Sequence, residues 1–303
     1  MLRSTLLYLS ERETPRKLIS RLSSGKRLAS RFIAGENLDE ALDVVRRLNH
    51  DGFDVTLDLL GESVSNRVAA EQASHAYTAI LDRIATEGLR SNISIKLTQL
   101  GLEIGPEVAH QNLNPIWQAA ASRHTFVRID MEGSAYTQST LRVFYEAGAP
   151  RESLGVVIQS YLYRSEKDVD DLLKHGAQIR LVKGAYNEPP ELAFPRKQDV
   201  DENFALLMKK LLSSGNYHAI ASHDPAMIEA TKAFARESRL KQDSFEFQML
   251  YGIRRDLQNQ LKNEGYRVRI YVPYGGQWYA YFMRRLAERP ANLIFLLKNL
   301  GRS

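Results

Sequence analysis

The sequence predicts an α/β protein, a (β/α)8 TIM-like barrel preceded by an N-terminal helical arm. Beyond residue 36 the chain of 303 residues alternates short β-branched runs with amphipathic helical patterns, and eight such units follow one another. Several runs, such as VVIQ and IRLV, are apolar almost throughout, which is typical of parallel strands covered on both faces. No long segment rich in Pro, Gly or Ser separates the units, so one barrel is favoured over two domains, with a doubly wound sheet as the alternative.

The elements of the predicted barrel follow in chain order. Asn37 precedes the helical pattern LDEALDVVRRL and Gly52 follows it, which predicts the first helix. Ser165 precedes EKDVDDLLKHG, and Asp224 with Pro225 opens AMIEATKAFARE, so two later helices carry N-terminal signals as well. The predicted strands cover residues 53–58, 93–97, 126–130, 154–159, 178–182, 218–222, 244–248 and 267–272.

A basic segment opens the chain. Residues 1–31 contain eight Lys and Arg against two Glu, and so carry a net charge of +6. Leucines and isoleucines interleave with these charges, which favours an amphipathic helix packed on the main domain. We therefore divide the chain into an arm at residues 1–36 and a catalytic barrel at residues 37–303. Reversible contact of residues 1–31 with the anionic inner face of a membrane is the alternative interpretation.

The composition excludes several kinds of site. The chain contains no cysteine, which removes disulfides, thiolate nucleophiles, iron–sulfur clusters and cysteine zinc sites, and the histidine spacing does not indicate any other metal site. No apolar run approaches the roughly 18 residues that a transmembrane helix needs. The Met1-Leu2-Arg3 start lacks a signal-peptide core, so we expect a cytoplasmic protein.

The residues that close the predicted strands are unusually polar. Active sites of (β/α)8 barrels lie at the carboxyl ends of the strands, so this ring predicts a functional centre. Several of its cations indicate an anionic ligand such as a carboxylate or phosphate. The pair Arg284-Arg285 either adds to these cations or forms a solvated helix end paired with Glu288. The ring comprises Asp58, Lys96, Asp130, Gln159, Arg180, Lys183, His223, Glu246, Gln248 and Tyr271.

The residues alone leave the chemistry open. Neither GxGxxG nor GxxxxGK[ST] occurs, so a Rossmann or P-loop nucleotide site is not expected. Lys183 could form a Schiff base, as in barrel lyases and aldolases, because a buried lysine with a lowered pKa is a nucleophile. A non-catalytic protein that binds membrane or nucleic acid through the basic arm is the third interpretation.

Five strings along the barrel resemble the proline dehydrogenase family. They are SIKLTQL (94–100), RLVKGAY (180–186), FEFQMLYG (245–252), RIYVPYG (269–275) and YFMRRLAE (281–288). The resemblance implies the stand-alone form of the enzyme, with a distorted (β/α)8 barrel that holds FAD without a covalent bond. It further implies oxidation of L-proline to Δ1-pyrroline-5-carboxylate, the first step of proline catabolism, with a membrane quinone as electron acceptor and no nucleic-acid partner.

The resemblance also assigns roles to residues that match the family's motifs. Two positions depart from the pattern, since Asn187 stands where many members carry Trp and Pro195 where a hydroxyl residue often precedes the Arg-Lys pair. The catalytic set it implies is Lys96, Asp130, Tyr271, Arg284 and Arg285. The proline site adds Tyr186, Leu250 and Glu288 to Lys96, Tyr271, Arg284 and Arg285. The flavin contacts are Met131, Gln159, Arg180, Val182, Lys183, Gly184, Ala185, Lys197, Ser222, His223 and Gln248.

Overall fold

Eight parallel strands, hydrogen-bonded in chain order, close a barrel in the computed structural model, which describes residues 30–279 and 281–283. The last strand pairs in parallel with the first over the whole length of the first, so the sheet has no free edge. The predicted (β/α)8 class is therefore confirmed, and the alternative of an open, doubly wound sheet is wrong.

The strands lie where the β-branched runs predict them. The runs at 154–159 and 178–182 coincide with the observed strands, and the bounds of the other strands differ by at most two residues. The strands are β1 Asp54–Leu59, β2 Ser91–Ile95, β3 Val127–Ile129, β4 Leu154–Gln159, β5 Gln178–Val182, β6 His218–Ala221, β7 Phe245–Leu250 and β8 Arg267–Tyr274. The helices are α1 Leu38–His50, α2 Arg67–Thr86, α3 Pro106–Ser122, α4 Ser134–Ala147, α5 Ser165–Lys174, α6 Lys197–Ser213, α7 Pro225–Glu237 and α8 Arg255–Asn263. A single 3₁₀ turn, Leu97–Leu100, follows β2.

Two of the three predicted helix starts are confirmed. Asn37 caps α1 by accepting a hydrogen bond from the Glu40 backbone N–H at 3.0 Å, and Asp224 caps α7 in the same way from Ala226. The predicted cap at Ser165 is wrong, because this residue is already the first of α5 and Arg164 occupies the cap position. The hydroxyl of Ser165 donates instead to the backbone carbonyl of Gln159, the last residue of β4, at 2.9 Å and to that of Leu162 in the loop that follows.

The barrel interior is lined with polar and charged side chains. Alternate residues of each strand face outward and pack against the helices as a continuous apolar layer. The inward residues of separate strands meet one another. Thr56 of β1 donates to Asn92 of β2 at 2.5 Å, and Arg269 of β8 donates to Glu246 of β7 at 2.8 Å. Charged groups at this depth need partners, so the interior contacts constrain how the strands align.

The described part of the arm lies against the barrel. Phe32 and Ile33 are buried in a small cluster with Phe282, and the Ala34 N–H donates to the carbonyl of Pro273 at 2.9 Å. These contacts tie the end of the arm to the carboxyl end of β8. Residues 1–29 of the predicted helical arm lie outside the described residues.

Gly155 in β4 makes room for an interior side chain. A methyl group at this position would lie 2.4 Å from the Gln178 carbonyl and 2.5 Å from a guanidinium nitrogen of Arg128. We expect Gly155→Ala to lower the free energy of unfolding by about 1–3 kcal/mol, because the strand or Arg128 must move. Urea denaturation measures this. Gly276→Ala is the control, since an added methyl there meets no atom of the described residues within 4 Å, and equal stability of the two variants would contradict the expectation.

Candidate active site

Lys96 and Asp58 form an ion pair where β1 and β2 reach the carboxyl end of the barrel. The Lys96 Nζ lies 2.6 Å from Asp58 Oδ1 and 3.9 Å from Asp130 Oδ2. Burial acts to lower the pKa of Lys96, but the two carboxylates together outweigh it and raise the pKa above its ordinary value. Lys96 is therefore a fixed positive charge at this face of the barrel.

Asp130 joins three strands in one cluster. Its carboxylate accepts a hydrogen bond from Arg180 Nη1 and another from the Tyr271 hydroxyl, both at 2.7 Å. Arg180 also donates to Ser94 Oγ at 3.0 Å, and its guanidinium lies 5.3 Å from the centre of the Tyr271 ring. Burial and the charges of Asp130 and Asp58 raise the pKa of Tyr271 well above 10, so the phenol stays protonated. The predicted residues of β2, β3, β5 and β8 thus meet in space.

Glu132 extends this cluster toward β4. Its carboxylate accepts from the Thr98 hydroxyl at 2.7 Å, and its backbone carbonyl accepts from the Gln159 amide at 2.9 Å. Burial raises the pKa of Glu132, which makes its carboxyl group easier to protonate than an exposed one. The hydrogen bond to the Glu132 carbonyl holds the side chain of Gln159 at the end of β4.

Lys183 and Lys197 share a pair of aspartates beyond β5. The Lys183 Nζ contacts Asp201 and lies 2.6 Å from Asp224, while Lys197 contacts the same two carboxylates. The Lys183 Nζ thus donates hydrogen bonds to two carboxylates, and a nitrogen held in this way is not free to attack a carbonyl group. This geometry disfavours the Schiff-base chemistry that the sequence left open.

The ends of β6 and β7 form the other side of the site. His223 Nε2 accepts a hydrogen bond from the Leu250 backbone N–H at 2.9 Å, and Ser222 Oγ accepts one from the Asp224 backbone at 3.1 Å. Gln248 donates to Glu246 Oε1 at 2.5 Å, but its own buried amide oxygen has no partner among the described residues. Such an acceptor is costly unless a ligand or water supplies a donor.

The remaining predicted contacts lie around the same face. Met131 is buried directly after Asp130, Val182 ends β5, and Ala185 and Tyr186 are exposed in the loop that follows. Gly184 has φ +116°, and a methyl group there would lie 2.3 Å from the ring of Tyr161. The absence of a side chain at Gly184 is thus explained first by the ring of Tyr161, which packs against its backbone. Asn187 and Pro195 are exposed in the stretch between β5 and α6.

Some predicted site residues lie outside the described part of the chain, and two residues that bind Lys183 were not predicted. Arg284, Arg285 and Glu288 belong to the first group, so the predicted carboxylate clamp is not part of the geometry above. Asp201 and Asp224 were missed as partners of Lys183. The sequence around Asp224 indicates only a helix cap. Asp201 lies on α6, and no sequence motif connects it to Lys183.

Comparison with known proteins decides the family. The profile of the family described as "Proline dehydrogenase" matches residues 41–298, most of the chain. The chain belongs to the proline dehydrogenase family. It is 43% identical over 281 residues to proline dehydrogenase 2 of Bacillus subtilis strain 168, a match that covers 93% of this chain and 91% of that one. It is 42% identical over 280 residues to a proline dehydrogenase of Deinococcus radiodurans, covering 90% of each chain.

A solved structure of the same family is similar in shape. Proline utilization A of Bdellovibrio bacteriovorus, inactivated by N-propargylglycine, superposes with a TM-score of 0.82 at 28% identity. The match covers 86% of this chain but 32% of the larger one, so this chain spans about a third of that protein. The matches to the Bacillus and Deinococcus enzymes cover 91% and 90% of those chains, so this member of the proline dehydrogenase family has the size of a stand-alone enzyme.

Proposed function

We propose that the protein oxidises L-proline to Δ1-pyrroline-5-carboxylate with non-covalently bound FAD and passes the electrons to a quinone. One observation carries the proposal: Lys96, Arg180 and Tyr271 converge on Asp130 at the carboxyl face of the barrel, in a chain of the proline dehydrogenase family. This arrangement presents fixed cations and a protonated phenol, which suit a small carboxylate substrate.

The chain's own residues act mainly by binding and orientation. Lys96 carries a permanent positive charge that attracts the proline carboxylate, and Asp58 holds its ammonium group in place. Tyr271 forms one wall, with its hydroxyl fixed by Asp130 so that the ring cannot turn away. Holding the reacting carbon in a single orientation is a large source of rate in a reaction that depends more on orientation than on acid–base help.

The residues at this face also fit a flavin. The amide oxygen of Gln248 and the Nε of Arg180 are buried and lack partners among the described residues, so an acceptor and a donor are available there. Gln159, Lys183 and His223 provide further polar groups at the carboxyl ends of β4, β5 and β6. When bound, FAD would supply the hydride acceptor for the ring carbon beside nitrogen that does not carry the carboxylate, and the ring nitrogen would release its proton to solvent.

A direct test uses L-proline and a soluble electron-accepting dye. We expect the FAD-loaded protein to reduce the dye and to form a product two hydrogen atoms lighter than proline by mass spectrometry. Protein freed of FAD is the control. Absence of both dye reduction and the lighter product with loaded protein would refute the proposal.

The carboxylate clamp that we assign to Arg284 and Arg285 has its own test. Arg284→Ala or Arg285→Ala should raise the KM for L-proline at least tenfold, which is about 1.4 kcal/mol, because a carboxylate loses a bidentate partner. The FAD content, read from the visible spectrum, should stay unchanged. A normal KM in either variant would show that the clamp is wrongly assigned.

We propose further that residues 1–31 bring the enzyme reversibly to the anionic inner membrane surface, where quinones reside. No helix within residues 30–279 and 281–283 is long and apolar enough to cross a membrane. The net charge of +6 supports contact by electrostatics, at about 1 kcal/mol per basic residue near the surface. Deleting residues 1–31 should weaken binding to anionic liposomes and spare activity with a soluble dye, whereas unchanged liposome binding would exclude this role.

A further inference from the structure

Arg128 differs from the other cations of the barrel interior. Lys96 is paired with Asp58, Arg180 with Asp130, and Arg269 with Glu246. Arg128 is 3% exposed, and no described carboxylate lies within ion-pair distance of it. Arg128 is therefore a buried cation that stands outside these three ion pairs.

The protein holds this guanidinium with neutral groups. One Nη of Arg128 donates to the backbone carbonyls of Gln178, at 2.5 Å, and Val156, at 3.3 Å. The guanidinium lies 4.6 Å from the centre of the Phe126 ring and occupies the space left by the missing side chain of Gly155. Its Nε is buried without a partner among the described residues. Burial, followed by the charge of Arg180, lowers the pKa of Arg128 to about 9, so it still carries its charge at neutral pH.

Arg128 lies directly beneath the candidate active site. It lies in β3 two residues before Asp130, which directly follows the strand and continues its hydrogen bonding to β2, so both side chains face the barrel interior, about 7 Å apart. Asp130 holds Arg180 and Tyr271, and Arg180 exerts the strongest electrostatic effect on Arg128 among the charged groups. The charge of Arg128 therefore acts at the floor of the site, in a region where water does not screen it.

A purely structural role explains this residue poorly. Burying a cation without a counter-charge costs several kcal/mol, and an apolar side chain of similar length often fills such a space at no loss of stability. What an arginine adds here over an apolar side chain is the hydrogen bonds to two backbone carbonyls and a positive charge at neutral pH. The charge is useful where negative charge must be stabilised.

We propose that Arg128 is a positioning residue that makes the floor of the active site electropositive and thereby favours electron uptake by the bound cofactor. The inference rests on the proposed flavin function. Arg128 acts through the field at the site and through the neighbouring Arg180, without touching substrate. Adding electrons to a flavin adds negative charge, which a buried cation nearby stabilises.

The test measures the midpoint potential of the bound flavin by equilibration with reference dyes, using FAD-loaded wild type and variants. Arg128→Met and Arg128→Gln should each lower the ratio of reduced to oxidised flavin about tenfold at a fixed applied potential. The glutamine variant can still donate to the two carbonyls, and Arg128→Lys should restore the wild-type ratio. Glu246→Gln removes a negative charge from the same interior and should shift the ratio in the opposite direction.

The opposite signs separate an electrostatic role from a structural one. A loss of packing would move Arg128→Met and Glu246→Gln in the same direction, and that outcome would overturn the proposal. Unchanged ratios in the Arg128 variants would overturn the proposal as well. If those variants do not fold, an unchanged ratio in Glu246→Gln would overturn it. The potential is measured without proline, so failure of proline to reduce the flavin would count against the proposed function and leave this result standing.

Discussion

Asp130→Asn should reduce kcat/KM for L-proline about 100-fold, which corresponds to about 2.7 kcal/mol of transition-state stabilisation. The wild-type carboxylate accepts hydrogen bonds from Arg180 and Tyr271 at 2.7 Å and lies 3.9 Å from the Lys96 ammonium. An amide has the same shape but lacks the charge, so it cannot hold two donors and one cation together. Hydrogen bonds to charged groups contribute about 1.5–3 kcal/mol each, which sets the expected size of the effect.

Steady-state kinetics with a soluble dye provide the measurement for Asp130→Asn. Asp171→Asn is the matched control, because that carboxylate is bound by two lysines, Lys167 and Lys174, on the outer surface of α5. We expect near-normal kinetics for it. A change of less than threefold at Asp130, with FAD content intact, would contradict the role given to this cluster.

Glu246→Ala should lower the free energy of unfolding by about 3–5 kcal/mol, because it leaves a buried cation without its partner. Glu246 is 2% exposed and accepts hydrogen bonds from Arg269 at 2.8 Å and from the Tyr217 hydroxyl at 3.0 Å. The double variant Glu246→Ala/Arg269→Met should recover part of the loss, since no unpaired charge remains. Urea denaturation measures all three proteins.

The control for Glu246→Ala is Glu152→Ala, which removes an exposed carboxylate paired with Arg151 on the surface. Surface pairs of this kind contribute at most about 1 kcal/mol. If the two alanine variants were equally stable, the interior pair would not stabilise the barrel.

Acid should remove the contribution of Glu246. Burial opposes its ionisation, but Arg269 and the hydrogen bonds outweigh this effect and lower its pKa to about 2, compared with 4.5 ordinarily. A carboxylate with a lowered pKa in the folded state stabilises the protein fully above pH 4.5, and this stabilisation is lost as the pH falls toward 2. The stability difference between wild type and Glu246→Ala should therefore shrink over that range.

The sequence predicted the barrel and the convergence of its strand ends because both depend on periodic patterns. Runs such as 154–159 and 178–182 contain the strand signal within themselves, and the carboxyl ends of parallel strands must share one face. Lys96, Asp130 and Tyr271 could therefore be placed together without knowledge of their distances.

The pairing of charges inside the barrel was not predictable in the same way. Lys183 finds its partners on α6 and ahead of α7, and nothing in the intervening sequence connects them. Arg128 stands out in the sequence only as a cation between the apolar Val127 and Ile129 of a strand. Whether a carboxylate lies beside its guanidinium depends on the residues of every neighbouring strand. Ser165 shows the same limit, since its hydroxyl donates to the backbone carbonyl of Gln159 at the end of β4 in place of capping α5.

The visible spectrum of the purified, FAD-loaded protein, recorded before and after anaerobic addition of L-proline, tests the central claim most directly. The account predicts flavin absorbance bands that bleach when proline is added, because the bound substrate delivers its hydride with no other acceptor present. Flavin bands that persist in the presence of saturating L-proline, in protein that a chemical reductant can still bleach, would contradict it.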